Sequence, residues 1–208
     1  MNTAYKGTIS CEEHRTILRK EKIAARDAIP GEVRLNNSKI ICQKLFELPI
    51  FQQAKKILLY SAVRGEVSLS SLEEINRAAP KIERKCYAYP ICKGKEMIAV
   101  IPGSSDTKGS SWRRGAFGIS EPDPEKGEIL FPEELDLVVC PCTAFDSKGG
   151  RLGMGGGYYD RYLPKCVNAE FIAVAFEVQK ADSIPVESWD IPIHFVQTEQ
   201  TLYHAENI

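Results

Sequence analysis

Residues 135–176, LDLVVCPCTAFDSKGGRLGMGGGYYDRYLPKCVNAEFIAVAF, decide the fold class. Leu135–Cys140 is a short apolar run that reads as a buried strand, and Phe171–Phe176 is a second. A glycine-rich loop and a short helix around Tyr158–Leu163 lie between them. Strand, loop, helix, strand is the order of a βαβ unit, in which a crossover helix brings the chain back to lay down a parallel strand. Outward from this unit, Lys56–Val63 (KILLYSAV) reads as another buried strand. Lys85–Tyr89 and Met97–Ile101 read as a hairpin about Lys93-Gly94-Lys95. Helices are expected over 11–29, ended by Pro30-Gly31, over 36–48, capped by Asn37 or Ser38, and over 68–79, capped by Ser68 or Ser70. Residues 102–134 are dense in glycine and proline and read as loop. The sum is an α/β protein with a mostly parallel central sheet and helices on both faces. Residues 1–10 are expected to be a flexible start, and 11–208 a single domain.

At 208 residues, one such domain buries enough surface to need no disulfide scaffold. Lys plus Arg is 27 and Asp plus Glu is 28, a balance that gives no footing for a nucleic-acid or anionic-membrane binder. Seven scattered cysteines, with no C-x-x-C pair, read as unpaired thiols in a reducing compartment. No apolar run is long enough for a signal peptide or a membrane span, so a soluble cytoplasmic protein is expected. His14, His194 and His204 share no metal-ligand spacing.

The loop itself carries six glycines between Gly149 and Gly157, directly after a strand. Glycine lets the backbone take positive φ and approach a ligand, and consecutive N–H groups can form an anion-binding nest. The same residues also suit a tight connection and nothing more. Arg151 would add a forked donor to phosphate oxygens, and Asp160, early in the following helix, could hold Mg²⁺ beside a phosphate. G-x-x-x-x-G-K-[ST] is absent, and G-x-G-x-x-G fails because Tyr158 stands where its third glycine would fall. On the first helix Arg15, Arg19, Lys22 and Arg26 share one face at helical spacing, beside an apolar arc of Ile17, Leu18, Ala24, Ala25, Ala28 and Ile29. Such a row is either a solvated face or a set of partners for phosphates held by the loop. Glu66 follows a strand by a few residues, where a side chain often faces the ligand crevice of an open sheet, though an isolated loop Glu also simply sits in solvent. Trp112 is an anchoring aromatic or a stacking platform, and Asp190 alone reads as a turn residue.

Residues 151–161, RLGMGGGYYDR, with Pro141 and Phe145-Asp146 ahead of them, closely resemble the signature of the 5-formyltetrahydrofolate cyclo-ligase (5,10-methenyltetrahydrofolate synthetase) family. Leu18-Arg19, Ser38, Glu66, Gly118–Pro122 (GISEP), Pro185-Val186 and Trp189-Asp190 match further segments in the expected order. The resemblance implies a NagB/RpiA/CoA-transferase-like fold. It also implies an ATP- and Mg²⁺-dependent conversion of 5-formyltetrahydrofolate to 5,10-methenyltetrahydrofolate, with release of ADP and phosphate. By this likeness Arg151, Leu152, Gly153, Met154, Gly155, Gly156, Gly157, Tyr158 and Tyr159 would wrap the ATP phosphates, helped by Arg15 and Arg19. Asp160 and Asp190 would serve Mg²⁺. Glu66 and Tyr158 would contact the folate, with Trp112 set beside them as an aromatic platform. Arg151 and Tyr158 would act in catalysis. The expected partners are these two substrates, with no nucleic acid or membrane, and the expected state is a monomer. Three positions depart from the family pattern: Arg15 where Lys is usual, Ile91 where Arg commonly follows the proline, and His194 where a second Asp is common. Two other readings stand beside this one: a sugar-phosphate isomerase-like enzyme on the same fold, and a non-catalytic nucleotide- or folate-binding relative.

Overall fold

The computed structural model describes residues 10–103, 111–115 and 118–205. Residues 1–9, where most of the flexible start was expected, lie outside it. The chain opens on α1 (Cys11–Asp27), α2 (Gly31–Glu47) and α3 (Pro49–Gln53), then β1 (Lys56–Leu58) and α4 (Ser70–Ala78). The hairpin β2 (Cys86–Lys93) and β3 (Glu96–Ile101) follows, then three short strands, β4 (Trp112–Arg114), β5 (Ser120–Pro122) and β6 (Glu128–Leu130). The βαβ segment comprises β7 (Leu137–Pro141), β8 (Ala144–Phe145), β9 (Arg151–Leu152), α5 (Tyr158–Tyr162) and β10 (Glu170–Val174). β11 (Phe195–Gln197) and β12 (Leu202–His204) end the chain.

Eight strands form one sheet in the order β12-β11-β10-β7-β1-β2-β3-β6. The five central strands are parallel, and β12, β3 and β6 pair antiparallel at the margins. This is the mostly parallel sheet that the sequence predicts, including the adjacent β7–β10 pair. Alternation along the strands divides the core. Ile57, Tyr87, Leu137 and Ile172 face one side, where they pack with Ile41 and Leu45 of α2, Phe51 of α3 and Leu72 of α4. Leu58, Ala88, Val138 and Ala173 face the other, with Tyr162 and Leu163. A third, smaller cluster joins Leu18 of α1 to Ala144, Leu152, Ala181 and Ile184.

Local chemistry explains where the expected bounds move. Pro30-Gly31 ends α1 but also starts α2, because Pro30 takes the N-cap position at φ −55° and ψ 142°. Ser38 is therefore mid-helix, not a cap, and its hydroxyl donates back to Arg34 O at 2.9 Å. Leu69, with no side-chain bond, holds the N-cap position of α4 in place of either serine. Lys56–Val63 is strand only to Leu58; Leu59 N–H still reaches Ala88 O, and the chain then leaves the sheet. Trp112 lies in β4, paired with β5, where a loop was expected, with its ring 4.8 Å from that of Tyr89. All seven cysteines are free, and no helix among the described residues is long and apolar enough to cross a membrane.

The largest surprise is α1. Its cap is a reciprocal pair between Ser10 and Glu13. Its buried residues are Arg15, Leu18 and Arg26, while Ile17 is 52% exposed. The basic row turns toward the protein, while the apolar arc is split: Ile17, Ala24 and Ala28 are exposed, Leu18 is buried and Ile29 packs on the core.

Since β1 is central and covered on both faces, Ile57→Ala and Leu58→Ala each cost about 2–5 kcal/mol of unfolding free energy. Denaturant midpoints that fall for both variants alike would confirm the two-sided core; a near-silent Leu58→Ala would show that the α5 side is not packed.

Candidate functional site

The strand order reverses beside β1. From β1 the chain crosses to β2 on one side, and later resumes at β7 on the other. Ligand crevices of open α/β sheets form at such a reversal, beyond the carboxyl ends of the strands. A cavity of about 890 Å³ opens there, floored by Tyr60 and Ser61 after β1 and by Pro141–Thr143 at the end of β7. Its walls are α1, the glycine loop with α5, the turn at Val63–Glu66 and the segment Glu187–Asp190.

Asp146 shapes the root of the glycine loop. Its Oδ1 accepts the N–H groups of Lys148 and Gly150, both at 2.9 Å, and Oδ2 accepts that of Ile184 at 2.7 Å. A Cβ on Gly150 would stand 2.7 Å from that same Oδ2, so the buckle excludes a side chain. Farther on, Gly155 and Gly157 take φ of +98° and +63°, a region glycine enters freely. α5 has only five residues, so an anion here would meet backbone N–H groups and side chains, with little help from a helix dipole.

Arg19 crosses from α1 to this loop. Its Nε donates to Gly153 O at 3.1 Å, its Nη1 pairs with Glu12 at 2.9 Å, and its Cζ lies 3.8 Å from where a Gly155 Cβ would stand. Arg151 is buried at the base of the loop: Nη2 donates to Asp160 Oδ1 at 2.8 Å, the guanidinium sits 5.5 Å from the Tyr159 ring centre, and Nε has no partner among the described residues.

Arg15 and Asp190, assigned by likeness to phosphate and to metal, face one another instead. They form a two-pronged pair at 2.5 and 3.1 Å, the geometry a planar guanidinium and a carboxylate favour. Burial pushes the Asp190 carboxyl up, but the Arg15 bond and the Glu187 N–H outweigh it and hold the group below its usual range. Asp190 thus has both oxygens engaged. Asp160 differs: Arg151 and the Ile191 N–H both use its Oδ1, and Oδ2 accepts no hydrogen bond from the described residues. Among the described residues no group of three or more His, Cys, Asp or Glu side chains could hold a metal. A Mg²⁺ that takes one carboxylate and phosphate oxygens needs no such group.

At the far end, Glu66 lines the cavity with Oε2 accepting the Val63 N–H at 3.0 Å. Burial raises its pKa, against the opposing effects of Val63, Arg26 and Arg64. The two tyrosines divide. Tyr158 donates its hydroxyl to Gly94 O at 2.8 Å and lies under Arg161, so its ring alone is left to the cavity. The Tyr159 hydroxyl is buried with no partner among the described residues, and burial raises its pKa. Cys142 also lines the cavity, but burial pushes its thiol up to about 12, which leaves it protonated and unsuited to nucleophilic attack at neutral pH.

Several expected residues lie elsewhere. The Leu152 side chain is in the small α1 cluster, leaving only its backbone to a ligand. Trp112 packs on Tyr89 and is not a lining residue; Trp189 is, at 65% exposure. Pro90 and Cys92 line the cavity while the buried Ile91 between them does not. His194 lies 3.9 Å from Glu170, also outside the lining. Sequence reasoning missed the unpaired Tyr159 hydroxyl, Arg64 and Trp189. Tyr159, inside the 151–161 signature but assigned there to phosphate, and Trp189, beside Asp190 in a matching segment, carried a signal; Arg64 carried none.

The sequence profile of the 5-formyltetrahydrofolate cyclo-ligase family matches residues 11–199. The chain is 38% identical over 181 residues to 5-formyltetrahydrofolate cyclo-ligase of Escherichia coli K12, covering 86% of this chain and 96% of that one. It is 36% identical over 144 residues to the Haemophilus influenzae protein of the same name, covering 68% and 74% respectively. The solved structure of 5,10-methenyltetrahydrofolate synthetase from Aquifex aeolicus superposes with a TM-score of 0.78 at 32% identity, over 93% of this chain and 94% of that one. A profile match over most of its length, with a glycine loop, an arginine-bearing helix and a carboxylate turn around one crevice, places the chain in the 5-formyltetrahydrofolate cyclo-ligase family.

Proposed function

We propose that the protein converts 5-formyltetrahydrofolate and ATP to 5,10-methenyltetrahydrofolate, ADP and phosphate. The observation that carries this is the closure of α1 on the glycine loop through Arg19 and Gly153 O, at one side of a cavity that also holds Glu66. The triphosphate lies between the loop and α1, against Arg19 and Arg151, and the folate lies toward Glu66 and the two tyrosines.

The formyl group is an amide, whose carbon is a poor electrophile and whose oxygen is a poor leaving group. In the reaction the formyl oxygen attacks the γ-phosphorus, the bond to the bridging oxygen breaks and ADP leaves. The product is an imidate phosphate. N10 of the same folate then attacks the formyl carbon, the C–O bond breaks, phosphate departs with the former formyl oxygen, and N10 loses its proton. Ring closure is intramolecular, so alignment supplies much of the rate. Charge on the transferring phosphoryl group is met by Arg151 and the loop N–H groups. Asp160, through Oδ2, is the carboxylate suited to Mg²⁺, which would neutralise phosphate charge when bound. Asp190 already accepts three hydrogen bonds, two of them from Arg15, and its place here is to hold that arginine. The Tyr159 hydroxyl is a donor with no partner among the described residues, ready for a polar atom of the folate, and the Tyr158 ring supplies a flat apolar contact.

The direct test mixes protein, Mg-ATP and 5-formyltetrahydrofolate and follows the near-ultraviolet absorbance of the methenyl product. Growth that requires ATP supports the reading, and its absence in well-folded protein refutes it. Arg151→Ala should lower turnover about 100-fold or more and weaken ATP binding, while folate binding stays close to wild type; unchanged ATP affinity and turnover would remove Arg151 from the phosphate site.

The tyrosines give a paired outcome. Tyr159→Phe should lower kcat/KM for the folate by about 10-fold, the worth of a buried hydrogen bond, without lowering the melting temperature. Tyr158→Phe should loosen the hairpin contact and leave folate kcat/KM within about 3-fold. The reverse pattern would exchange the two assignments.

A further inference from the structure

Arg26 is wholly buried, yet it lies outside the cavity lining and has no ion-pair partner among the described residues. Its Nη2 donates to Arg64 O at 2.8 Å, and its Nε and Nη1 have no partner among the described residues. An uncompensated buried guanidinium is costly. The turn it holds is also unusual: Arg64 has φ +47°, the only non-glycine residue at positive φ among those described, and Gly65 follows at +77°. A Cβ on Gly65 would stand 3.2 Å from Arg34 Nη1 and 3.4 Å from Asp27 Oδ1, so the corner between α1 and α2 is packed against the turn. Farther along, the Ser38 hydroxyl accepts the Ser68 N–H at 3.1 Å. The turn's last residue is Glu66, which closes it by accepting the Val63 N–H.

We infer that Arg26 is a positioning residue: by holding Arg64 O it fixes the Val63–Glu66 turn in its left-handed shape, and so fixes where the Glu66 carboxylate meets the folate. The inference rests on the reading that Glu66 faces the folate substrate. It adds a role for α1, which through Arg19 serves the glycine loop and through Arg26 serves the Val63–Glu66 turn.

The groups acting electrostatically with Glu66 are Arg26 from α1, Arg64 from its own turn, Tyr60 after β1, Cys142 after β7 and Tyr159 from α5. The two arginines are the cations. With Arg26 removed, the ionised form of Glu66 loses one of them, and its pKa, already raised by burial, rises further. A reaction that needs ionised Glu66 then loses rate at a higher pH on the acid side.

The test is a cycle of Arg26→Met, Glu66→Gln and the double variant, with Arg26→Lys as the conservative change. Folding is checked by circular dichroism, and ATP affinity by direct binding of a non-hydrolysable analogue. Arg26→Met should lower kcat/KM for 5-formyltetrahydrofolate about 10-fold, with ATP affinity within about 2-fold of wild type. Its acid limb should move up by about half a pH unit or more. Arg26→Lys, which keeps the charge, should restore the limb but not the full rate. The double variant should be no worse than Glu66→Gln by more than about 2-fold, because one residue acts through the other. Additive losses, an unmoved acid limb, or equal loss of ATP and folate binding would overturn the inference while leaving Glu66 in place. A Glu66→Gln variant with wild-type folate kinetics would overturn the reading of Glu66 and the inference with it. If Arg26→Met does not fold, the same cycle run with Arg26→Lys decides by the rate and additivity outcomes.

Discussion

Guanidinium groups in a row along one helix face repel one another, and burying them adds a desolvation cost, unless each finds an acceptor. On α1 Glu12 and Glu21 meet part of this charge from the helix itself, and three arginines each also reach an acceptor in a distant part of the chain. Arg15 finds Asp190, Arg19 finds Gly153 O and Arg26 finds Arg64 O. One helix thereby sets the mutual placement of the C-terminal segment, the glycine loop and the Glu66 turn. The span from Arg15 to Arg26 is about 16 Å at 1.5 Å per residue, so a single stiff element spans the cavity from the Asp190 wall to the Glu66 turn.

The sheet supplies the rest by topology. Reversal of strand order between β1 and β7 opens a crevice that neither neighbouring strand can close. Rigid strands place the floor, and loops with special backbone geometry place the walls. The Asp146 buckle is the firmest of these: one carboxylate satisfies three N–H groups and leaves no room for a side chain at Gly150. The glycine loop is therefore held at its root and open at its tip, which suits a segment whose N–H groups must be ready for a ligand before it arrives.

Much of this was legible in the amino-acid sequence, and for physical reasons. Runs such as Leu137–Val139 and Phe171–Val174 are apolar at every position because both faces of a parallel sheet are covered, and that signal survives without tertiary information. The glycine loop was legible because few other roles need so many residues without Cβ. Periodicity also found the α1 row but could not say which way it faced. The outcome depended on Asp190, 175 residues away, and no local pattern reports a partner at that distance. For the same reason Arg15 and Asp190 were assigned separately to phosphate and metal, when their nearest chemistry is each other. Trp112 and Trp189 exchanged places because aromatic character is visible in sequence and burial is not. The split between Tyr158 and Tyr159 turned on Gly94 O, contributed by a hairpin tip far along the chain.

The Arg15–Asp190 pair has a consequence for how the molecule comes into being. It joins residues 175 apart, among the most distant contacts in the chain. Loops of that span close late, after local helices and neighbouring strands have formed. During synthesis the first helix emerges early, and Arg15 waits for nearly the whole polypeptide before Asp190 exists. The Arg15–Asp190 clasp is thus made late, and a nascent chain that has already built most of its sheet is still without it.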